Sequence, residues 1–105
     1  MQDSMPARSL VLRDRVVHDR DVLEARIGES CVLFHPVAGT YCDLAGSGTH
    51  VWTLLAEPRD IDELVGTLSS HYAVDAQTCE RDTLAFLHSL LDKRFIAVTA
   101  KPPVP

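Results

Sequence analysis

Hydrophobic and polar positions along the chain follow two different periods, and the change between them falls near residue 46. From Asp21 onward, Leu23, Ala25 and Ile27 alternate with Glu24 and Arg26, the period-two pattern of a half-buried strand. Gly28-Glu29-Ser30 supplies a turn, and Cys31-Val32-Leu33-Phe34-His35 reads as a second, more buried strand. Pro36-Val37-Ala38-Gly39 is a second turn, with proline at an early turn position and glycine suited to a positive φ. Thr40-Tyr41-Cys42-Asp43-Leu44 opens with β-favouring types and makes a third strand. The three form an antiparallel meander.

After Ala45-Gly46-Ser47-Gly48 the period becomes helical. Val51, Trp52, Leu54 and Leu55 give a short apolar face that stops at Pro58. Asp60 stands three residues before Glu63, the capping-box arrangement, and Leu64, Val65 and Leu68 carry a second amphipathic helix toward Tyr72. Asp75 is a good N-cap for a third helix, with Val74 placed to staple against Cys79. Thr83, Phe86, Leu87, Leu90 and Leu91 form one broad apolar face, and Phe95-Ile96-Ala97-Val98 closes the domain as a short strand or extended arm. Strands followed by helices predict an α+β fold. Its outline is winged helix-turn-helix-like: a three-stranded antiparallel sheet followed by three helices. Residues 1–20 are expected to be an N-terminal arm, partly flexible, with residues 1–9 frayed and Leu10-Val11-Leu12 a short strand or packing arm. Residues 21–98 make the domain, and 99–105 a flexible tail.

Length and charge narrow the function. The 105 residues are enough for one domain, and a 46% hydrophobic share supports a real core. Ten Lys and Arg against 15 Asp and Glu give a net charge of −5, which repels a phosphate backbone. No apolar run approaches the ~18 residues needed to cross a membrane, and residues 8–13 are too short for a signal-peptide core. Cys31, Cys42 and Cys79 cannot all pair within one chain and none forms a CxxC, so free thiols in a reducing compartment are expected. The expected location is the cytoplasm.

Candidate chemistry reduces to a few residues. Cys31, His35 and Cys42 are the nearest approach to a metal set, but their spacing lacks the tight pairs of small zinc sites and strand alternation already explains them. His18, His50, His71 and His88 sit beside polar neighbours and read as surface or capping residues. Cys79 follows a helix start, yet its spacing fits the packed face. No GxGxxG or Walker-type motif is present, so no cofactor, metal or catalytic residue is expected and the chain reads as a binding protein. The alternative is a winged-helix DNA-binding regulator. Its reading helix would start with Asp75, Glu80 and Asp82 against Arg81, with Lys93 and Arg94 at the far end, the wrong sign for a groove between phosphates.

One resemblance adds to this reading. Val32-Leu33-Phe34-His35, Gly39-Thr40-Tyr41-Cys42-Asp43-Leu44, Val51-Trp52-Thr53-Leu54-Leu55 and Glu57-Pro58-Arg59 recur in order with Glu63-Leu64-Val65 and His71-Tyr72-Ala73-Val74-Asp75. Arg81 through Leu87, Leu90-Leu91 and Phe95-Ile96 complete the series. From about Val22 to Val98 the chain resembles the PqqD-like leader-recognition domains of pathways that modify ribosomally made peptides, among them pyrroloquinoline quinone and lasso peptides. Two positions depart from the family: Ala45 stands where Asn is frequent, and Arg94 where Gly is. The resemblance implies that an extended leader peptide adds a strand to the third strand and lies beside the third helix. On that basis the peptide-binding residues are expected to be Thr40, Tyr41, Cys42 and Asp43 from the strand, with Thr83, Phe86, Leu87 and Leu90 from the helix. The implied partners are the precursor leader and a modifying enzyme of the same pathway (a protease, a cyclase or a radical enzyme). Nucleic acid and membrane are not among them, while an unpaired strand edge allows a homodimer.

Overall fold

A computed structural model describes residues 10–100; the expectations for residues 1–9 and 101–105 lie outside the described residues. Strand β1 spans Arg15–His18, β2 Leu23–Ile27, β3 Ser30–His35 and β4 Thr40–Leu44. Helix α1 covers Ser47–Leu54, a short β5 covers Arg59–Asp60, α2 Ile61–Tyr72, α3 Ala76–Asp92, and β6 Ile96–Thr99 closes the series. The strands form two antiparallel sheets, β2-β3-β4 and β5-β1-β6, and with three helices the architecture is α+β, as the pattern predicts.

The meander forms in the expected order, with Leu23 opposite Phe34 and Phe34 opposite Tyr41. Its buried face differs from expectation. Leu23, Ala25 and Ile27 are exposed, and the row Leu23–Phe34–Tyr41 faces outward at 58%, 42% and 68% exposure. The inner face of β2 carries Glu24 and Arg26. The reason is Trp52, which is fully buried and whose indole N–H needs an acceptor. Glu24 Oε1 accepts from Trp52 Nε1 at 2.8 Å, and Arg26 binds Glu24 Oε2 at 2.9 Å and Thr53 Oγ1 at 2.8 Å. Satisfying that indole decides which side of β2 turns in. Apolar alternation alone does not.

The 10–20 segment reaches the core at two apolar positions. Leu10 and Val16 are buried, and β1 lies at the centre of the second sheet, pairing Val16 with both Arg59 and Val98. The strand forms at Arg15–His18, and Val11 and Leu12 belong to a turn closed by Asp14 N–H donating to Val11 C=O at 2.9 Å. His18 joins the sheets to α1: its ring stacks on Trp52 at 3.5 Å and Nε2 donates to the Trp52 carbonyl at 2.6 Å. Burial holds His18 below its ordinary pKa, outweighing the carbonyl and the nearby Glu24 charge. Glu24 is held below the usual carboxylate range by its bonds from Trp52 and Arg26.

Helix ends follow local chemistry. Asp60 and Glu63 form the expected capping box, with Glu63 Oε1 accepting from the Asp60 amide at 3.4 Å. Asp75 accepts from the Thr78 amide at 3.0 Å and caps α3. Gly46, at φ 59°, is the N-cap of α1, with no side-chain cap from Ser47 or Thr49. α3 ends in a Schellman arrangement: Phe95 N–H donates to Leu90 C=O at 2.9 Å and Arg94 N–H to Leu91 C=O at 3.0 Å. Arg94 therefore takes the left-handed position at φ 67° that a glycine would hold without strain.

Candidate functional site: an open strand edge beside an apolar groove

Among the described residues, strand β4 pairs with β3 on one side only, which leaves its other edge open. In an antiparallel pair, alternate residues turn both N–H and C=O away from the partner strand. A five-residue strand therefore presents two or three residues' worth of unpaired groups, about four to six hydrogen-bonding positions. Beside this edge lies a groove of about 770 Å³, within the size range of small-ligand sites. Leu44, Val51, Leu68, Val74 and Phe86 make its apolar lining, contributed by β4, α1, α2, the loop before α3, and α3. Gly48 opens it, since a Cβ there would stand 3.4 Å from the Phe86 ring and 3.7 Å from Leu44. Tyr72 lines it too, its hydroxyl 3.1 Å from His50 Nδ1 and its ring edge-on to His71.

The eight expected peptide contacts divide. Asp43, Thr83 and Phe86 line the groove. Tyr41 is exposed on the outer face of the sheet; Cys42, half-buried, shares the inner face with Thr40 and Leu44. Thr40 Oγ1 donates to the Lys93 carbonyl at 2.7 Å, tying the start of β4 to the end of α3. Leu87 and Leu90, at 0% and 1% exposure, are core residues and do not line the groove. The 3.6-residue period turns them to the side of α3 that meets the core. The contributions of Gly48, Val51, Leu68 and Tyr72 were not expected from sequence: spacing marks them only as loop or packed helix.

Asp19, Asp21 and His35 bring ligand-type atoms within 4.8 Å of one another. However, the Ala38 N–H donates to His35 Nδ1 at 3.0 Å, so the neutral ring carries its proton on Nε2, the atom facing Asp19 at 3.4 Å. A protonated nitrogen has no lone pair for a metal. All three cysteines are free; burial pushes the Cys31 thiol up, away from a reactive thiolate, and the Cys79 thiol donates to the Val65 carbonyl at 3.6 Å. Helix α3 carries Glu80, Asp82 and Asp92 against Arg81, a balance that opposes entry between phosphates. Among the described residues, no helix is long and apolar enough to cross a membrane.

Comparison with known proteins agrees with this geometry. No curated protein matches the chain. Among solved structures it is similar to "TbiB1 in Complex with the TbiA(beta) Leader Peptide", with 34% identity, a TM-score of 0.72, and coverage of 81% of this chain and 99% of that one. Residues 30–96, which hold β3, β4, all three helices and therefore the groove, match the family described as Coenzyme PQQ synthesis protein D, and the chain belongs to that PqqD family.

Proposed function

We propose that this chain binds the leader segment of a ribosomally made precursor peptide by strand addition to β4, and presents it to a modifying enzyme of the same pathway. The observation that carries this is the coincidence of an open strand edge with an apolar groove at its C-terminal end, where Asp43 and Leu44 line it. The edge supplies main-chain hydrogen bonds that any extended peptide can satisfy, and the groove supplies the side-chain discrimination that an edge alone lacks. A relative of 34% identity held in complex with a leader peptide supports the same reading. The chain acts as a binding partner and not as a catalyst; the enzyme it serves is a protease, a cyclase or a radical enzyme. It works in the cytoplasm, where its three free thiols stay reduced. A homodimer through the same edge would compete with the leader, so sedimentation with and without peptide distinguishes the two uses of β4.

Proline at positions 41 and 42 tests strand addition. Successive amides of a strand point to opposite sides, so one of Tyr41→Pro and Cys42→Pro removes a bond to β3 and the other a donor on the open edge. The open-edge variant should stay folded by circular dichroism and lose binding of a fluorescein-labelled cognate leader. Hydrogen exchange of the β4 amides should slow when that peptide binds the unmodified chain. Unchanged affinity in a folded edge variant, together with unchanged exchange along β4, would reject the mechanism.

A further inference from the structure

The charged residues that border the groove are of one sign. Its charged lining residues are Asp43 on β4 and Asp82 on α3, and among the described residues no lysine or arginine lines it. Both carboxylates belong to exposed residues. Asp43 has no ion pair among the described residues. Asp82 lies 3.5 Å from Arg81 Nε, but both side chains are mostly exposed, and water weakens such a pair enough for another cation to replace it. Most of the remaining lining is apolar, with Ser47, Tyr72 and Thr83 as its uncharged polar members. The arrangement suits a peptide that is hydrophobic at one position and basic beside it.

We propose that the groove selects leader segments in which lysine or arginine stands next to the apolar anchor, with Asp43 and Asp82 as specificity-determining residues. The proposal rests on the leader-binding reading above. Strand geometry gives it a spacing rule. A peptide strand added to β4 alternates its side chains between the inner and outer faces of the sheet. Leu44 is buried on the inner face, so Asp43 belongs to the outer one. When an anchor residue drops onto the apolar floor, its immediate neighbours lie on the outer face, the side of Asp43. Residues two positions away return to the inner face, toward the α3 wall that carries Asp82. Basic residues one position from the anchor are therefore read by Asp43, and those two positions away by Asp82. Each matched exposed pair should tighten binding about two- to fivefold at low salt. The gain should fade as the screening length shrinks from about 10 Å at 0.1 M salt toward about 3 Å at 1 M.

A display selection decides it. Randomised 12-residue peptides are selected against the full chain and against an Asp43→Asn/Asp82→Asn double variant, which keeps side-chain size. The unmodified chain should enrich peptides with an aromatic or aliphatic anchor and an excess of Lys or Arg one and two positions from it. The double variant should keep the anchor and lose the excess, and Asp43→Asn alone should lose only the adjacent one. Anchor-bearing peptides without basic enrichment, or the same enrichment in the double variant, overturn the charge reading and leave leader binding standing. Failure to enrich any peptide family, or peptides that bind equally well when Gly48→Leu fills the groove, overturns the leader reading and the charge reading together.

Discussion

Gly48 separates the groove from the fold more cleanly than any other residue. It lies in α1 without a positive φ, so any side chain can take its backbone conformation. An added Cβ would make ordinary contact with Phe86 and Leu44, two residues of the groove lining. Replacing a helical glycine by alanine or leucine gains about 0.5–1 kcal/mol of helix propensity. In a domain of this size about 1 kcal/mol raises the melting temperature by roughly 4–8 °C, so the series Gly48→Ala, Gly48→Leu, Gly48→Phe should not lower it. Binding should move the other way. Atoms beyond Cβ occupy the floor where an apolar anchor would be buried, and an anchor of that kind contributes about 1.5–3 kcal/mol. Losing it weakens binding by roughly 10- to 150-fold. Anisotropy titration of a labelled leader and a thermal melt on the same samples measure both quantities. Affinity unchanged from Ala to Phe in variants as stable as the parent would show that no peptide anchor is buried in this groove, and would overturn the leader-binding reading built on it. A melting temperature that fell with side-chain size would show that α1 and α3 are packed too closely there to leave a groove.

Three further outcomes test the scaffold. Arg94→Gly should stabilise the chain by about 0.5–1 kcal/mol in urea unfolding, because the left-handed penalty of about 1–2 kcal/mol exceeds the ~0.4–1 kcal/mol of extra freedom glycine gives the unfolded chain. Leu33→Ala, at a fully buried β3 position, should cost about 2–5 kcal/mol, whereas Leu23→Ala on the outward face of β2 should stay within about 0.5 kcal/mol; equal costs would mean that β2 is turned the other way. Stability should decline in two steps on acidification. His18 is depressed in the folded state, so its contribution is complete above about pH 6.5 and shrinks as pH falls below that, because the unfolded chain takes up the proton first. Glu24 is depressed as well, so its contribution is lost below the ordinary carboxylate range. Denaturation at several pH values should find the lower step missing in Glu24→Gln, and its persistence there would exclude Glu24 as the source.

How much of the fold was legible depended on whether local chemistry or a distant partner decided each feature. The capping box at Asp60 and Glu63 and the cap at Asp75 are local, and both appear where the residues predict them. Strand positions in the meander were equally legible, since turn residues bracket them. The orientation of β2 was not, because it depends on an indole 28 residues away that claims Glu24. Nor was β1, whose Arg15-Val16-Val17-His18 has little periodicity and becomes a strand by lying between β5 and β6. The end of α3 shows the converse. Arg94 lacks the residue type suited to a left-handed stop, yet Leu90 and Phe95 are both fully buried, and their packing holds the Schellman turn against the preference of one side chain.

The candidate site was legible as an edge and illegible as a groove, and the difference is physical. A proline-free strand at the end of a meander advertises its unpaired side in the sequence, so Thr40–Leu44 can be singled out without coordinates. A groove has no such signature. It forms where apolar faces from several elements converge without filling the space between them, and each face taken alone looks like core. Helical spacing puts Thr83, Phe86, Leu87 and Leu90 on one broad stripe of α3. The stripe is wider than the helix's contact with the core, so Phe86 is left half-buried at the groove while Leu87 and Leu90 are enclosed. Thr40, chosen as a peptide contact, spends its hydroxyl on the Lys93 carbonyl and so anchors β4 beside the end of α3. The open edge of β4 and helix α3 are thus held in fixed relation by a residue on the edge itself. A Thr40→Val substitution should therefore weaken leader binding by loosening that alignment, and Thr40→Ser, which keeps the hydroxyl, should restore it. Equal binding by the valine variant in the titration used for Gly48 would show that the Lys93 contact plays no part in shaping the site.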